Sequence, residues 1–320
     1  MVSLGLSACS ATDAGDSATK GNVTATLGDA NPQPIASDPH PTLPATVHSF
    51  DGTDVTIQDS SRIIAVDRFG TLAQTIYALG LGGRLVGRSM SAKIPAIAGL
   101  PNVTPDGESM SVEAILALHP TVLLTDATTA TPAVFEQLRA AGVPIVFFDP
   151  ARTLNGAGPQ IQAIADALGV HDQGVALAQR TTTEIGTATA NLPATDPRLR
   201  IAFVYLRGTA LTMLAGRGSG ADALIAGLGA EDAGTAAGLS EPFVAITSEA
   251  MIAARPDVLL VMTEGLDSIG GTAGLLKLPG VSQTPAGRAH RIIDMSDSVL
   301  LSFGPNTGRV LTALRSAVYP

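Results

Sequence analysis

One short segment occurs twice in this chain. Ser111-Val112-Glu113 leads through Ala114-Ile115-Leu116-Ala117-Leu118-His119 to Pro120-Thr121-Val122-Leu123-Leu124. Thr247-Ser248-Glu249 leads through Ala250-Met251-Ile252-Ala253-Ala254-Arg255 to Pro256-Asp257-Val258-Leu259-Leu260. Each glutamate stands seven residues before a proline (120 − 113 and 256 − 249), and the two lie 136 residues apart (249 − 113). That separation is about one domain. A unit repeated at such a distance points to two similar lobes, each presenting a glutamate in the same place.

Ser111 and Thr247 suit the N-cap position, with the glutamate in the first turn where its charge favours the helix dipole. Ile115 and Leu118, like Met251 and Ile252, are expected to face a core from a short helix. The proline stops the helix, and the aliphatic run after it suits a buried parallel strand. A plainer explanation of either glutamate alone is a helix-start charge. Two copies weaken it, because capping needs no fixed spacing to a later proline.

At 320 residues the chain is long enough for two domains with proper cores. It is 45% hydrophobic but only 3% aromatic and has no Trp, so Ala, Leu, Val and Ile must fill those cores. A formal net charge of −9 argues against a general nucleic-acid partner. No apolar run is long enough to span a membrane. The single cysteine, Cys9 in Leu6-Ser7-Ala8-Cys9, resembles a bacterial lipobox, whose cysteine is lipidated. Residues 1–9 are thus expected to be a residual signal and lipobox, although Met1–Gly5 is short for a full leader. Residues 10–45, rich in Ala, Thr, Asp, Gly and Pro, are expected to be a flexible tether. With one cysteine there is no internal disulfide and no thiolate cluster.

Thr46-Val47-His48-Ser49-Phe50 and Val55-Thr56-Ile57 flank Asp51-Gly52, which predicts a hairpin. Arg62-Ile63-Ile64-Ala65-Val66 reads as a strand, and residues 71–79 as a helix ending at Gly80. Alternation continues through Leu85-Val86-Gly87, the first repeat unit, residues 133–141, and Ile145-Val146-Phe147-Phe148. This pattern predicts an α/β fold with a mainly parallel sheet. Residues 159–191 carry only helical signals, broken near Leu168-Gly169. A second α/β series starts at Ile201-Ala202-Phe203-Val204-Tyr205 and closes with a helix at 308–318. The expected plan is an N-terminal lobe (46–168), a linking helix (169–196) and a C-terminal lobe (197–320).

This layout resembles the substrate-binding proteins of ABC importers for iron chelates, cobalamin and haem. The likeness covers nearly all of the folded part and is greatest to the haem-carrier lipoproteins of Gram-positive haem importers. It is carried by Leu79-Gly80-Leu81 with Leu85-Val86-Gly87-Arg88, Tyr205-Leu206-Arg207-Gly208, and Gly265-Leu266-Asp267-Ser268-Ile269-Gly270-Gly271. Leu278-Pro279-Gly280-Val281, Gln283-Thr284-Pro285-Ala286-Gly287 and Leu300-Leu301-Ser302-Phe303-Gly304-Pro305 add to it. The resemblance implies two Rossmann-like lobes joined by a single long helix, with the ligand in the cleft between them. It also implies that Glu113 and Glu249 dock onto arginines of the two permease subunits.

Tyr205 stands at the C-terminal end of a predicted strand, where open α/β sheets bind ligands, and Arg207 follows two residues on. Ferric iron prefers a tyrosinate, a free phenol ionises near pH 10, and a nearby cation favours the ionised form. Through the resemblance, Tyr205 is the expected axial haem ligand and Arg207 its support; a tyrosine that merely hydrogen-bonds is the alternative. The family histidine expected in Thr104-Pro105-Asp106-Gly107-Glu108 is missing, and His40, His48, His119, His171 and His290 do not fit the role. Asp106, Met90 and Met110 are the candidate contacts on the second side of the haem, or Tyr205 holds the iron alone. Arg88, Lys93 and Arg217 are candidate propionate contacts. Gly216-Arg217-Gly218-Ser219-Gly220 is either an N–H cradle for a carboxylate or a plain turn.

No Gly-x-Ser-x-Gly elbow, paired histidines at metal spacing or cysteine cluster marks an enzyme. The sequence is therefore read as a monomeric, lipid-anchored, extracytoplasmic haem-binding protein serving an ABC importer. A carrier for a ferric siderophore or a corrinoid is the same-fold alternative.

Overall fold

The structure, a computed structural model, describes residues 21–107, 109–193 and 197–320. Cys9 and residues 10–20 of the expected tether lie outside them. Two large sheets organise the chain, one per lobe, all-parallel in the N-terminal lobe and mixed in the C-terminal lobe. The first strand among the described residues, β1 (Gly21–Ala25), joins the C-terminal sheet. The hairpin forms as expected: β2 (Ala45–His48) runs antiparallel to β3 (Asp54–Ile57), with Ala45 opposite Ile57. Gly52 supplies the positive φ of its turn.

The N-terminal sheet contains β4 (Ile63–Val66), β5 (Leu85–Arg88), β6 (Val122–Thr125) and β7 (Ile145–Phe147), all parallel, in the order β5-β4-β6-β7. β4, β6 and β7 are buried along their whole length. That follows from their unbroken aliphatic and aromatic sequences, because helices cover both faces. The C-terminal sheet contains β8 (Arg200–Arg207), β9 (Leu211–Ala215), β10 (Glu231–Asp232), β11 (Phe243–Ala245), β12 (Val258–Met262) and β13 (Arg291–Met295). Its path is β1-β13-β12-β8-β9-β11, with β10 pairing the start of β8 and β9 and β11 antiparallel. The lobes are joined through the helix His171–Thr189, which packs against the helices Ala157–Ala167 and Thr307–Val318. Gly169, at φ 72°, makes the break expected near Leu168-Gly169.

Both repeat units fold alike. The Ser111 hydroxyl accepts from Ala114 N–H (3.2 Å) and caps the helix Val112–Ala117; the Thr247 hydroxyl accepts from Ala250 N–H (3.1 Å) and caps Ser248–Ala254. Both helices end in a left-handed residue, His119 at φ 45° and Arg255 at φ 44°, before the proline. β6 and β12 then enter the sheets as buried strands. Ile115 and Met251 are fully buried, but Ile252 is 43% exposed. Its expected place in the core is corrected: the helix has room for one apolar line, and Met251 with Ala254 fills it.

The tether expectation is also corrected from Gly21 onward. β1 pairs parallel with β13, Gly21 beside Arg291 and Ala25 beside Met295. The segment that follows is tied down along both lobes and the linking helix. Arg309 donates to the carbonyls of Leu27, Asp29 and Asn31, Arg180 donates to Gln33 O, and Ile35 N–H donates to Ala78 O at 2.7 Å. Thr42 N–H donates to Gly169 O at 2.8 Å. Composition failed here because the segment buries its backbone bonds rather than its side chains.

Candidate ligand cleft

In each lobe the sheet reverses its winding beside the first parallel strand. β4 lies between β5 and β6, and β8 lies between β12 and the β9/β10 side. Such switch points leave a crevice at the C-terminal ends of the strands. The two crevices face the lobe interface. Gln74 Nε2 donates to Ser298 O (2.7 Å), the Thr71 hydroxyl donates to Ser302 O, and Gly304 packs on Thr71 and Thr75.

Tyr205 occupies the C-terminal end of β8, opposite Met213 of β9. Its half-buried ring meets Phe243 edge-on at 5.8 Å. The Arg207 guanidinium lies over the ring, 4.6 Å from its centroid. Among the described residues the Tyr205 hydroxyl has no hydrogen-bond partner. Arg207 therefore meets the face of the ring rather than the oxygen, leaving that oxygen open to a ligand while a cation sits against the π-system. Arg207 is itself held: it pairs with Asp297 at 3.0 Å and donates to Leu206 O at 2.8 Å. Burial pushes the Asp297 carboxyl above the usual carboxylate range, with Arg207 pulling the other way.

The loop after β5 brings the N-terminal lobe to the same corner. Lys93 Nζ reaches Glu264 Oε2 of the other lobe at 3.0 Å, and Glu264 N–H donates to Asp297 Oδ1 at 2.9 Å. Lys93 thus lies where a propionate contact was expected, but spends its charge on Glu264. Both partners are exposed, so the pair is worth at most about 1 kcal/mol and is open to exchange. Met90 is half-buried in that loop, its N–H donating to the Thr104 hydroxyl. Asp106 is exposed at the loop's far end, Oδ1 accepting from Ser109 N–H at 2.7 Å.

Three expectations are corrected. Met110 is 5% exposed inside the N-terminal core with Ile64, Val103 and Ile115, which leaves it no face for a ligand. Arg88 turns its guanidinium back into its own loop, donating to Ala98 O (2.7 and 3.1 Å) and Ser89 O (3.0 Å). The glycine cradle is filled by its own chain: Gly218 and Gly220 N–H donate to the Asp222 carboxylate at 2.8 and 3.0 Å. Arg217 is exposed beside that acidic corner, in a depression shared with Asp222, Glu231 and Asp232. Glu113 and Glu249 are exposed on their helices, with no ion-pair partner among the described residues.

Sequence reasoning missed a buried trio at the N-terminal switch point. Arg152 pairs with Asp126 at 2.9 Å and Asp67 at 3.6 Å, all three nearly inaccessible. Burial raises the Asp67 carboxyl, and Asp126 raises it further. Arg152 also lies 5.3 Å over the Phe69 ring and abuts Gly220 of the other lobe. The available signal was an aspartate directly after each of two central strands, Val66-Asp67 and Thr125-Asp126.

Two α/β lobes, joined by the long helix and also by the segment that leaves β1 of the C-terminal sheet, with crevices facing each other, define a two-lobed ligand-binding protein. The Periplasmic binding protein family profile matches residues 68–299, and the chain belongs to that family. It is 22% identical over 283 residues to the uncharacterized ABC transporter substrate-binding lipoprotein YvrC of Bacillus subtilis (strain 168), covering 87% of this chain and 86% of that one. The crystal structure of haem-binding protein HmuT superposes with TM-score 0.88 at 35% identity, covering 94% of this chain and 97% of that one. The apo periplasmic haem-binding protein RhuT from Roseiflexus sp. RS-1 superposes with TM-score 0.74 at 39% identity, over 82% and 98% of the two chains. HmuT has also been solved with a tyrosine, a histidine or an arginine replaced by alanine. The tyrosine and arginine stand two positions apart there, as Tyr205 and Arg207 do. The histidine precedes the tyrosine by the interval that separates Asp106 from Tyr205.

Proposed function

We propose that this protein captures haem between its lobes and delivers it to an ABC importer, without catalysing a reaction. The observation that carries the reading is the open Tyr205 oxygen at the end of β8 with the Arg207 cation 4.6 Å from the ring centroid. Tyr205 supplies an anionic oxygen to ferric iron, and Arg207 supports its charge. Asp106 or Met90 approaches the second side of the porphyrin from the N-terminal lobe. Asp106 is favoured by its spacing to Tyr205, which equals the spacing between the histidine and the tyrosine replaced in HmuT, and it would offer a hard oxygen donor there. The cargo's carboxylates displace Glu264 from Lys93, because a charge-assisted contact is exchanged for one of the same kind.

Glu113 and Glu249, one per lobe and matched in local structure, dock a permease of two subunits. Cys9 carries a lipid that holds the protein, as a monomer, at the extracytoplasmic face. Among the described residues no helix is long and apolar enough to cross a membrane. Titrating the purified protein with haemin tests the cargo. A shifted Soret band in the wild type that is lost in Tyr205→Ala is expected. Saturation by a ferric siderophore or a corrinoid, with no haemin shift, overturns it.

A further inference from the structure

One further side chain, Asp297, stands behind the Tyr205–Arg207 pair. Asp297 follows β13, and its side chain is 11% exposed. One oxygen accepts from the Glu264 N–H at 2.9 Å; the other faces the Arg207 guanidinium at 3.0 Å. Asp297 is the only carboxylate paired with Arg207 among the described residues. Arg207 is otherwise held by Leu206 O and a long contact of 3.9 Å to the Met262 sulfur. A half-exposed arginine side chain samples many rotamers and loses entropy when fixed. Its place over the Tyr205 ring therefore needs an anchor, and a mostly buried carboxylate with its second oxygen tied to the backbone is a rigid one.

We propose that Asp297 is a positioning residue for the cargo site: it holds Arg207 over Tyr205 and offsets the arginine's charge there. This rests on Tyr205 being the iron ligand. An uncompensated cation beside an iron phenolate draws electron density from the oxygen and favours the reduced metal. Asp297 thus moderates what Arg207 does, keeping the ferric tyrosinate favoured. The Glu264 N–H that orients Asp297 precedes a side chain engaged with Lys93, so the anchor sits directly behind the contact between lobes.

The test uses the haemin complexes of wild type, Asp297→Asn, Arg207→Ala, the double variant, Asp297→Glu and Tyr205→Ala, followed by absorption spectrum and ferric/ferrous midpoint potential. Asparagine keeps an oxygen for the Glu264 N–H, so the loop is retained while the charge is lost. The expected result in Asp297→Asn is a midpoint and a phenolate-to-iron band both displaced from wild type. Both effects should vanish when Arg207 is already alanine and be reversed in part by Asp297→Glu. A wild-type midpoint in Asp297→Asn overturns the proposal, and so does an equal shift with and without Arg207. Should Tyr205→Ala leave the spectrum unchanged, the cargo reading falls and takes this role with it. A lost band in Tyr205→Ala beside an unmoved Asp297→Asn removes the Asp297 role alone.

Discussion

A buried carboxylate without an ion pair is a liability at neutral pH, and Asp232 has none among the described residues. It caps the short helix Ala233–Ala236, Oδ2 accepting from Thr235 N–H at 2.8 Å, while Oδ1 has no partner among the described residues. Burial pushes its pKa up, the bonds from Thr235 pull it down, and the Asp222 and Glu231 charges push it up again. The net direction is upward, so the unfolded chain gives up the proton first and ionisation destabilises the fold as pH rises above about 4. Asp232→Asn should therefore melt higher than wild type at pH 7, and the gain should fade in melts run below pH 4. At this scale Tyr205 and Arg207 were legible, because strand end, spacing and residue chemistry all coincide at one place. Arg88 and Met110 were not. Their chemistry suits a cleft, but nothing local in sequence says whether a guanidinium folds back on its own loop or a thioether turns inward. Asp297 was invisible because its partner lies 90 residues earlier (297 − 207).

Helices and strands whose signals are local were read well. The twin caps, the Asp51-Gly52 hairpin and the linking helix each depend on neighbours within a few residues. β1 depends on the far end of the chain. Its sequence, Gly21-Asn22-Val23-Thr24-Ala25, has one fully buried residue and no strand-like run, so only the free edge of β13 makes it a strand. β9 and β11 were missed for a related reason: they are antiparallel additions beyond the alternating core. The segment after β1 also imposes a local demand on Gly80. A Cβ there would meet Ala36 O at 2.3 Å, and the residue sits at φ 90°. Gly80→Ala should lower stability by roughly 2–3 kcal/mol in denaturant unfolding. Gly83→Ala, with nothing within 4 Å of the added methyl, should change it by less than about 0.5 kcal/mol.

Glu113 and Glu249 stand at equivalent exposed points of the two lobes, and under the proposed function cargo binding should be separable from docking. Glu113→Arg and Glu249→Arg, singly and together, should leave the haemin titration unchanged while weakening association with the permease in nanodiscs. The double variant should lose about 2–5 kcal/mol; full retention of binding would show that the matched glutamates serve only their helices. The parallel pairing of β1 with β13 matters at this scale for how the chain is made. Thr24 bonds Asp294, 270 positions on. β1 is made long before β13 and must wait for it to pair. Its backbone groups stay unsealed through most of synthesis, and pairings of such sequence separation close slowly. The chain therefore cannot finish its second sheet from either end alone. Until β13 is made, the backbone N–H and C=O groups of β1 have no ladder to enter and are left to water.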